Sequence, residues 1–125
     1  MNIKTYMGQK ADFYIQCKGD HAGRPLRKPI PNCFAFNHDS PLAFEAVYAL
    51  YIAGVFSPYI NGSVIPFITI HNTKKILRDY LDRGIELKSL DLAKIKQADI
   101  AIANLEENLQ LLKELKISYA RKMFK

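Results

Sequence analysis

The sequence lacks the residue patterns that usually mark catalysis or metal binding. Its two cysteines, Cys17 and Cys33, fit no metal-ligand spacing, and both are predicted to be buried free thiols. The three histidines form no ligand pattern, and no phosphate-binding loop, dinucleotide fingerprint or nucleophile elbow occurs. Four carboxylates are predicted to be solvated rather than clustered: Asp12, Asp20, Asp39 and Glu45. The sequence therefore predicts a protein that is not an enzyme and that holds no cofactor, metal or small-molecule ligand.

Long apolar segments are also missing. The longest, residues 46–56, is shorter than the ~20 residues that a membrane-spanning helix needs. Residues 1–14 contain no apolar core of the kind that signal peptides carry. An apolar fraction of 49% is ordinary for a folded domain. These features predict a single folded chain in the cytoplasm, without a membrane partner.

Positive charge is present in excess. The net charge is +6 and the sequence pI is about 9.3, which favours polyanionic partners such as nucleic acid. Residues 18–32 are predicted to form a loop that prolines stiffen, because each proline fixes its backbone φ angle. The candidate DNA-binding residues of this basic loop are Lys18, Arg24, Arg27 and Lys28. The alternative interpretation is a solvated connection whose charges only keep the chain soluble.

Residues 1–88 predict a small α+β body, with a mixed or antiparallel sheet packed on a buried helix. Strands are predicted over residues 12–17, 33–36 and 64–70, because aromatic and β-branched residues dominate there. Pro66 cannot donate a hydrogen bond, which places the third strand at an edge or at a bulge. Residues 1–10 are polar and are predicted to be frayed or lightly docked.

Two helices are predicted within the body. The first is capped by Ser40, starts at Pro41 and ends near Gly54. It is apolar nearly all round, which favours a central, enclosed helix, although its tyrosines also suit base stacking. The second is a short helix that Asn72 or Thr73 caps and Gly84 ends, and residues 85–87 are predicted to add a short strand.

Residues 89–125 predict one long C-terminal helix of coiled-coil type. No proline or glycine interrupts it, and at 1.5 Å per residue it would be roughly 50 Å long. Apolar side chains recur at a spacing of three and four and form a stripe, called the seam here: Ile95, Ala98, Ile102, Leu105, Leu109, Leu112, Tyr119 and Met123, with Lys116 as the one exception. We expect a homodimer through Ile95, Ile102, Leu105, Leu109 and Leu112. The alternative is a monomer whose helix folds across its own sheet.

The chain resembles two groups of proteins. Residues 13–70 resemble small uncharacterised proteins of Bacteroidetes that occur with mobile elements. The similarity lies in four short sequence segments: FYIQCKG, AGRPL, PNCF and GSVIPFITI. Residues 46–76 and 95–124 resemble the specificity subunits of type I restriction-modification systems. In those subunits an apolar helix, a glycine-containing turn, a strand, a short helix and a long helix close each recognition domain.

The second resemblance implies a non-enzymatic module that binds duplex DNA. A specificity subunit has two recognition domains and two long helices, whereas this chain has one of each at most, so dimerisation would supply the second half. The proline-rich segment that leads into the long helix of those subunits is replaced here by GIELKSLDLAK. The alternative function is a protein-interaction or assembly module of a mobile element that binds no nucleic acid.

Overall fold

The computed structural model describes residues 1–82 and 89–125. The chain divides into two compact units, Met1–Leu87 and Lys88–Lys125. The described part of the first unit contains a four-stranded antiparallel sheet and two α-helices, and the second unit is one long helix. This confirms the predicted α+β class, with a small sheet followed by a long C-terminal helix.

The sheet consists of β1 (Asn2–Thr5), β2 (Phe13–Gln16), β3 (Pro25–Leu26) and β4 (Cys33–Asn37), in the order β1-β4-β2-β3. The strands predicted from residues 12–17 and 33–36 are therefore confirmed. The prediction of frayed residues 1–10 is wrong for β1, because that strand pairs with β4 and buries Ile3. The predicted loop 18–32 also contains β3, which pairs with β2 at the sheet edge, where Pro25 needs no donor.

The two faces of the sheet carry different clusters of buried side chains. Successive residues of a strand point to opposite faces, so Phe13 and Ile15 lie on one face and Tyr14 on the other. The first face packs against both helices of the body and forms the larger cluster: Ile3, Phe13, Ile15, Phe34, Phe36, Ala43, Val47, Phe56, Ile68, Ile76 and Leu77, with Ala22. The second face carries a smaller apolar cluster, whose buried members among the described residues are Tyr14, Cys33 and Ala35. The core of the body therefore lies between the sheet and the helices.

Helix α1 (Ala43–Ile52) is only half covered. Its buried residues are Ala43, Ala46 and Val47, which lie at helical spacing and contact the core, whereas Ile52 is 51% exposed. The helix packs on the sheet as predicted but is not enclosed all round, because its last residue, Ile52, is exposed. Ser40 does not cap α1 as predicted, and its Oγ instead accepts a hydrogen bond from the backbone N–H of Leu42 at 3.2 Å.

The predicted strand over residues 64–70 does not form. Two isolated antiparallel bridges form instead, in which Phe67 is opposite Asn61 and Lys18. Phe67 and Asn61 exchange hydrogen bonds at 2.8 and 2.9 Å, and Ile68 donates to the carbonyl of Cys17 at 2.9 Å. Val64 is 90% exposed. Gly62 allows this tight turn, because its φ is +93° and a Cβ there would collide with the carbonyl oxygen of Ile65. Around Phe67 the pairing stays at single bridges, because the chain turns at Gly62 before it and helix α2 begins at Ile70 after it.

Helix α2 (Ile70–Leu77) begins earlier than predicted. Its N-cap is Thr69, whose Oγ1 accepts a hydrogen bond from the N–H of Asn72 at 3.2 Å, and not Asn72 or Thr73. A single π-helical turn, Arg78–Asp82, follows. The predicted helix end at Gly84 and the strand over residues 85–87 lie outside the described residues. Helix α3 (Ser89–Lys122) is unbroken, as the sequence predicts.

Candidate interaction surfaces

Backbone hydrogen bonds attach the basic loop to the rest of the body. Gly19 donates to the carbonyl of Pro66 at 2.8 Å, and Gly23 donates to the carbonyl of Gln16 at 2.7 Å. Gly23 has a φ of +96°, and a Cβ on it would lie 2.9 Å from the ring of Phe56. Because any larger residue at 23 would strain the backbone and press on Phe56, this glycine lets the loop approach the core closely.

Arg24 is tied into the body. Its Nη2 donates to the Oε1 of Gln16 at 3.2 Å, and the Nε2 of Gln16 donates to the carbonyl of Lys18 at 2.8 Å. Gln16 is itself buried, and the Nε atom of Arg24 is buried without a hydrogen-bond partner among the described residues. Arg24 therefore satisfies a buried amide and aligns the start of the loop, which leaves less of its guanidinium available to an outside anion.

Arg27 faces α1. Its Cζ lies 3.5 Å from the centroid of the Phe44 ring, and its Nη2 lies 3.5 Å from the Oε1 of Glu45. The side chain nonetheless stays 65% exposed. Such a stacked, ion-paired arginine keeps one face of its planar guanidinium open to a second partner.

The remaining two basic-loop residues, Lys18 and Lys28, are exposed. Neither side chain makes an ion pair within the residues that the structure describes. The structure therefore separates the four candidate DNA-binding residues into two that contact the body and two lysines that are free to meet a polyanion. Sequence reasoning could not make this distinction, because charge and loop position are the same for all four.

A polar cluster around His38 is absent from the sequence-based prediction. The Nε2 of His38 lies 3.3 Å from the Oδ1 of Asp82, its Nδ1 accepts from the N–H of Ser40 at 3.0 Å, and its ring stacks on Phe36. The backbone N–H of His38 donates to the Oδ2 of Asp12 at 3.0 Å. Both ring nitrogens are therefore engaged, so this histidine ties the end of β4 to the turn Arg78–Asp82 and has no lone pair free for general-base catalysis. No sequence signal identifies it, because its partners lie far apart along the chain.

Cys17 directly follows β2 and Cys33 begins the neighbouring β4, and the two side chains belong to clusters on opposite faces of the sheet. Cys17 packs against the larger cluster and Cys33 is buried in the smaller one, and both are free thiols. Burial raises the pKa of both thiols, and the proximity of Cys33 raises that of Cys17 further. Cys33 is buried as predicted, whereas Cys17 is only partly buried. The described residues contain no group of histidines, cysteines and carboxylates that could hold a metal ion.

Helix α3 presents the largest set of exposed apolar side chains. Its exposed large apolar residues are each between 46% and 67% exposed: Ile100, Ile102, Leu105, Leu109, Leu111, Leu112, Leu115, Ile117 and Tyr119. Met123 and Phe124, directly after the helix, are 78% and 87% exposed. Ile95, the first predicted dimerisation residue, is partly covered. Side chains three and four apart lie on one side of a helix, so Ile102, Leu105, Leu109 and Leu112 form one continuous stripe. Ile100, Leu111 and Leu115 lie on the other side and widen the apolar surface. In the described part of the chain, no helix is long and apolar enough to cross a membrane.

Comparison with known proteins identifies a family but no activity. No curated protein and no solved structure matches the chain. A family model does match, and it covers residues 3–122, which include all of the sheet except Asn2, both helices of the body and the whole of α3. The chain therefore belongs to DUF6943, a family of unknown function.

Proposed function

We propose that this protein is a cytoplasmic, non-enzymatic assembly module that forms a homodimer through α3. The observation that carries the proposal is the exposure of the seam: Leu105 and Leu112 are 67% and 63% exposed, on a helix with no break over its 34 residues. Exposed apolar stripes of this length favour protein contacts, because monomers rarely leave such patches open to water. A second copy of the chain is the simplest partner, since most homo-oligomers are two-fold dimers.

The energetics permit such a dimer. Fully covering a leucine or isoleucine contributes about 1.5 to 3 kcal/mol. In a two-fold dimer each of Ile102, Leu105, Leu109 and Leu112 counts twice. The resulting gain is at most about 12 to 24 kcal/mol, which exceeds the ~4 to 15 kcal/mol that association costs in lost freedom and ordering. We therefore expect a dimer whose dissociation can be followed at micromolar protein concentration.

Sedimentation of the full chain tests this function. We expect a dimer mass for the wild type at micromolar concentration, and a monomer mass for Leu109→Glu, because the substitution places two carboxylates in the centre of the contact. The matched control is Asn104→Glu, which adds the same charge to the same helix away from the seam and should leave the dimer intact. A wild-type chain that sediments as a monomer, with a mass that Leu109→Glu does not change, would exclude the dimer.

DNA binding is a second candidate function. Its support is the net charge of +6 and the exposure of Lys18, Arg27 and Lys28 in the basic loop. The similarity to restriction specificity subunits also favours it, since a dimer would supply two recognition halves. The protein would then contact phosphates rather than read bases, because lysines act as flexible point charges.

A salt titration on duplex DNA separates the two functions. Replacing Lys18 and Lys28 by alanine should weaken binding and flatten its dependence on salt concentration, because fewer counterions are released. Replacing Arg24 and Arg27 by alanine should have the same kind of effect, although Arg24 would also disturb the body. The control is a double alanine variant of Lys4 and Lys10, two exposed lysines outside the loop. If the wild type binds no duplex at low salt, DNA binding is excluded and the assembly module is the one proposed function that stands.

A further inference from the structure

We propose that the second copy of α3 docks antiparallel, with the two-fold axis between Gln110 and Leu111. This inference rests on the proposed homodimer and adds the orientation and the register of its partner. The supporting observation is the distribution of charge beside the seam. After the first turns of α3, where Asp91, Lys94 and Lys96 are mixed, the acidic and basic side chains occupy successive segments.

The acidic segment is residues 99–107, which contain Asp99, Glu106 and Glu107 and no basic residue. The basic segment is residues 113–125, whose charged residues are Lys113, Lys116, Arg121, Lys122, Lys125 and one acid, Glu114. In a parallel dimer in register each segment runs along its own copy, so the acidic segment does not lie along the basic one. In an antiparallel dimer centred near residue 110 the acidic segment of each copy lies along the basic segment of the other. Charge complementarity therefore favours the antiparallel arrangement.

The apolar contacts fit the same register. Leu109 faces Leu112 of the second copy, and the two-fold axis repeats this pair, so four leucines form the centre. Ile102 then faces Tyr119, and the small Ala98 faces the long Met123. Lys116, the one polar residue of the seam, faces Leu105 beside Glu106 of the second copy. In a parallel dimer two Lys116 side chains would instead face each other inside the seam.

Flanking charges decide between neighbouring registers. In the proposed register Glu106 lies beside Lys113 of the second copy, twice by symmetry. Moving the contact by one heptad in one direction brings Glu106 against its own copy, and moving it in the other direction brings Lys113 against its own copy. A parallel dimer offers one favourable pair, Lys94 with Asp99, but it leaves Glu106 beside Ala101 and Lys113 beside Asn108. Glu106 and Lys113 form no ion pair within the described residues, so both are available to a partner.

Charge reversal tests the orientation. Glu106→Lys and Lys113→Glu should each raise the dimer dissociation constant about tenfold at low salt, because two symmetric pairs become repulsive. The double variant should return to within about twofold of the wild type, since it restores both pairs. In a parallel dimer neither residue faces a charge, so the single variants would have little effect. Sedimentation at several protein concentrations gives the dissociation constants, and circular dichroism checks that the helix is retained.

Cysteine trapping gives an independent measurement. Mixing Leu105→Cys chains with Lys116→Cys chains should produce a crosslinked heterodimer, because positions 105 and 116 face each other across the contact. Leu105→Cys alone should not crosslink, because in the antiparallel register its two copies lie roughly 16 Å apart along the helix axis, beyond disulfide reach. The wild-type chain, with Cys17 and Cys33 as its only thiols, controls for other crosslinks.

The outcomes separate the orientation from the dimer itself. Restoration by the double reversal together with crosslinking only in the mixture supports the proposal. A wild-type dimer in which Leu105→Cys crosslinks to itself, or in which the double reversal restores nothing, overturns the antiparallel orientation and leaves the homodimer standing. A wild-type monomer overturns the proposed dimer and the orientation together.

Discussion

The body and α3 contain similar apolar residues but expose them very differently. In the body Phe36 and Val47 are 0% exposed, because a sheet and two helices offer surfaces that close over them. In α3 Leu105 is 67% exposed, because a single helix cannot bury its own stripe. Apolar periodicity therefore shows which side of an element needs covering, but it does not show what covers it. The body supplies its own cover, and we propose that α3 obtains it from a second copy.

The largest expected effect separates the two regions by concentration dependence. Phe36→Ala should lower the free energy of unfolding by about 3 to 5 kcal/mol, because it leaves a cavity beside Phe13, whose ring centroid lies 4.8 Å away. This loss should be the same at all protein concentrations. Leu109→Ala should instead lower stability by an amount that depends on protein concentration, because it weakens association. Urea unfolding at two concentrations measures both, and equal behaviour of the two variants would contradict the comparison.

The sequence predicts the fold class and the long helix well because both rest on strong periodic signals. The strands at residues 13–16 and 33–37 and the unbroken helix Ser89–Lys122 follow from local residue preferences. The predicted strand over residues 64–70 was wrong because the turn at Gly62 and the start of α2 at Ile70 leave room for only isolated bridges at Phe67. Strand β1 was not predicted, because its segment is polar and has no strand-like pattern of its own. It forms a strand because it pairs with β4, and no local pattern indicates that pairing.

A second prediction concerns the close approach of the basic loop to the body. Gly23→Ala should lower the free energy of unfolding by about 1 to 3 kcal/mol, because it forces alanine into a left-handed conformation and against Phe56. Gly8→Ala is the matched control, since Gly8 has a similar φ of +94° but no atom within 4 Å of the added methyl. The difference between the two variants isolates the steric part. Equal losses in thermal or urea unfolding would show that Phe56 gives way without cost.

A third prediction tests the observed start of α2. Thr69→Ala should lower the free energy of unfolding by about 1 kcal/mol, because the N–H of Asn72 loses its capping oxygen. Thr69→Ser keeps the hydroxyl and should retain most of the stability. If the two variants are equally stable in urea unfolding, the cap at Thr69 contributes nothing.

The smallest expected effect distinguishes the free lysines from the packed arginine. Lys28→Ala should change the free energy of unfolding by less than about 0.5 kcal/mol, because the side chain is exposed. Arg24→Ala should cost more, because it removes the partner of the buried Gln16. Urea unfolding of both variants measures this difference. An equal cost would mean that the contact between Arg24 and Gln16 adds no stability.

The candidate surfaces were only partly predictable from the sequence. The seam was predictable from the sequence because residues three and four apart lie on the same side of a helix. The basic loop could be read as a cluster of charge, but not as two lysines in water, one arginine on Gln16 and one arginine on Phe44. Those contacts depend on residues brought together by the sheet, and a single sequence contains no local signal for them.

The strand order also sets the order in which the body can assemble. Strands β2 and β3 are joined by a short connection and need little loop closure, so they can pair early. Among the described strands β1 pairs only with β4, so Thr5 cannot meet Phe34 until the whole segment between them has been drawn in. Closing that loop lowers the chain entropy before the hydrogen bonds and contacts of the strand pair can offset the loss, which slows folding. We therefore expect β1 to join last during folding, to open first in the native state, and to show the fastest hydrogen exchange of the four strands.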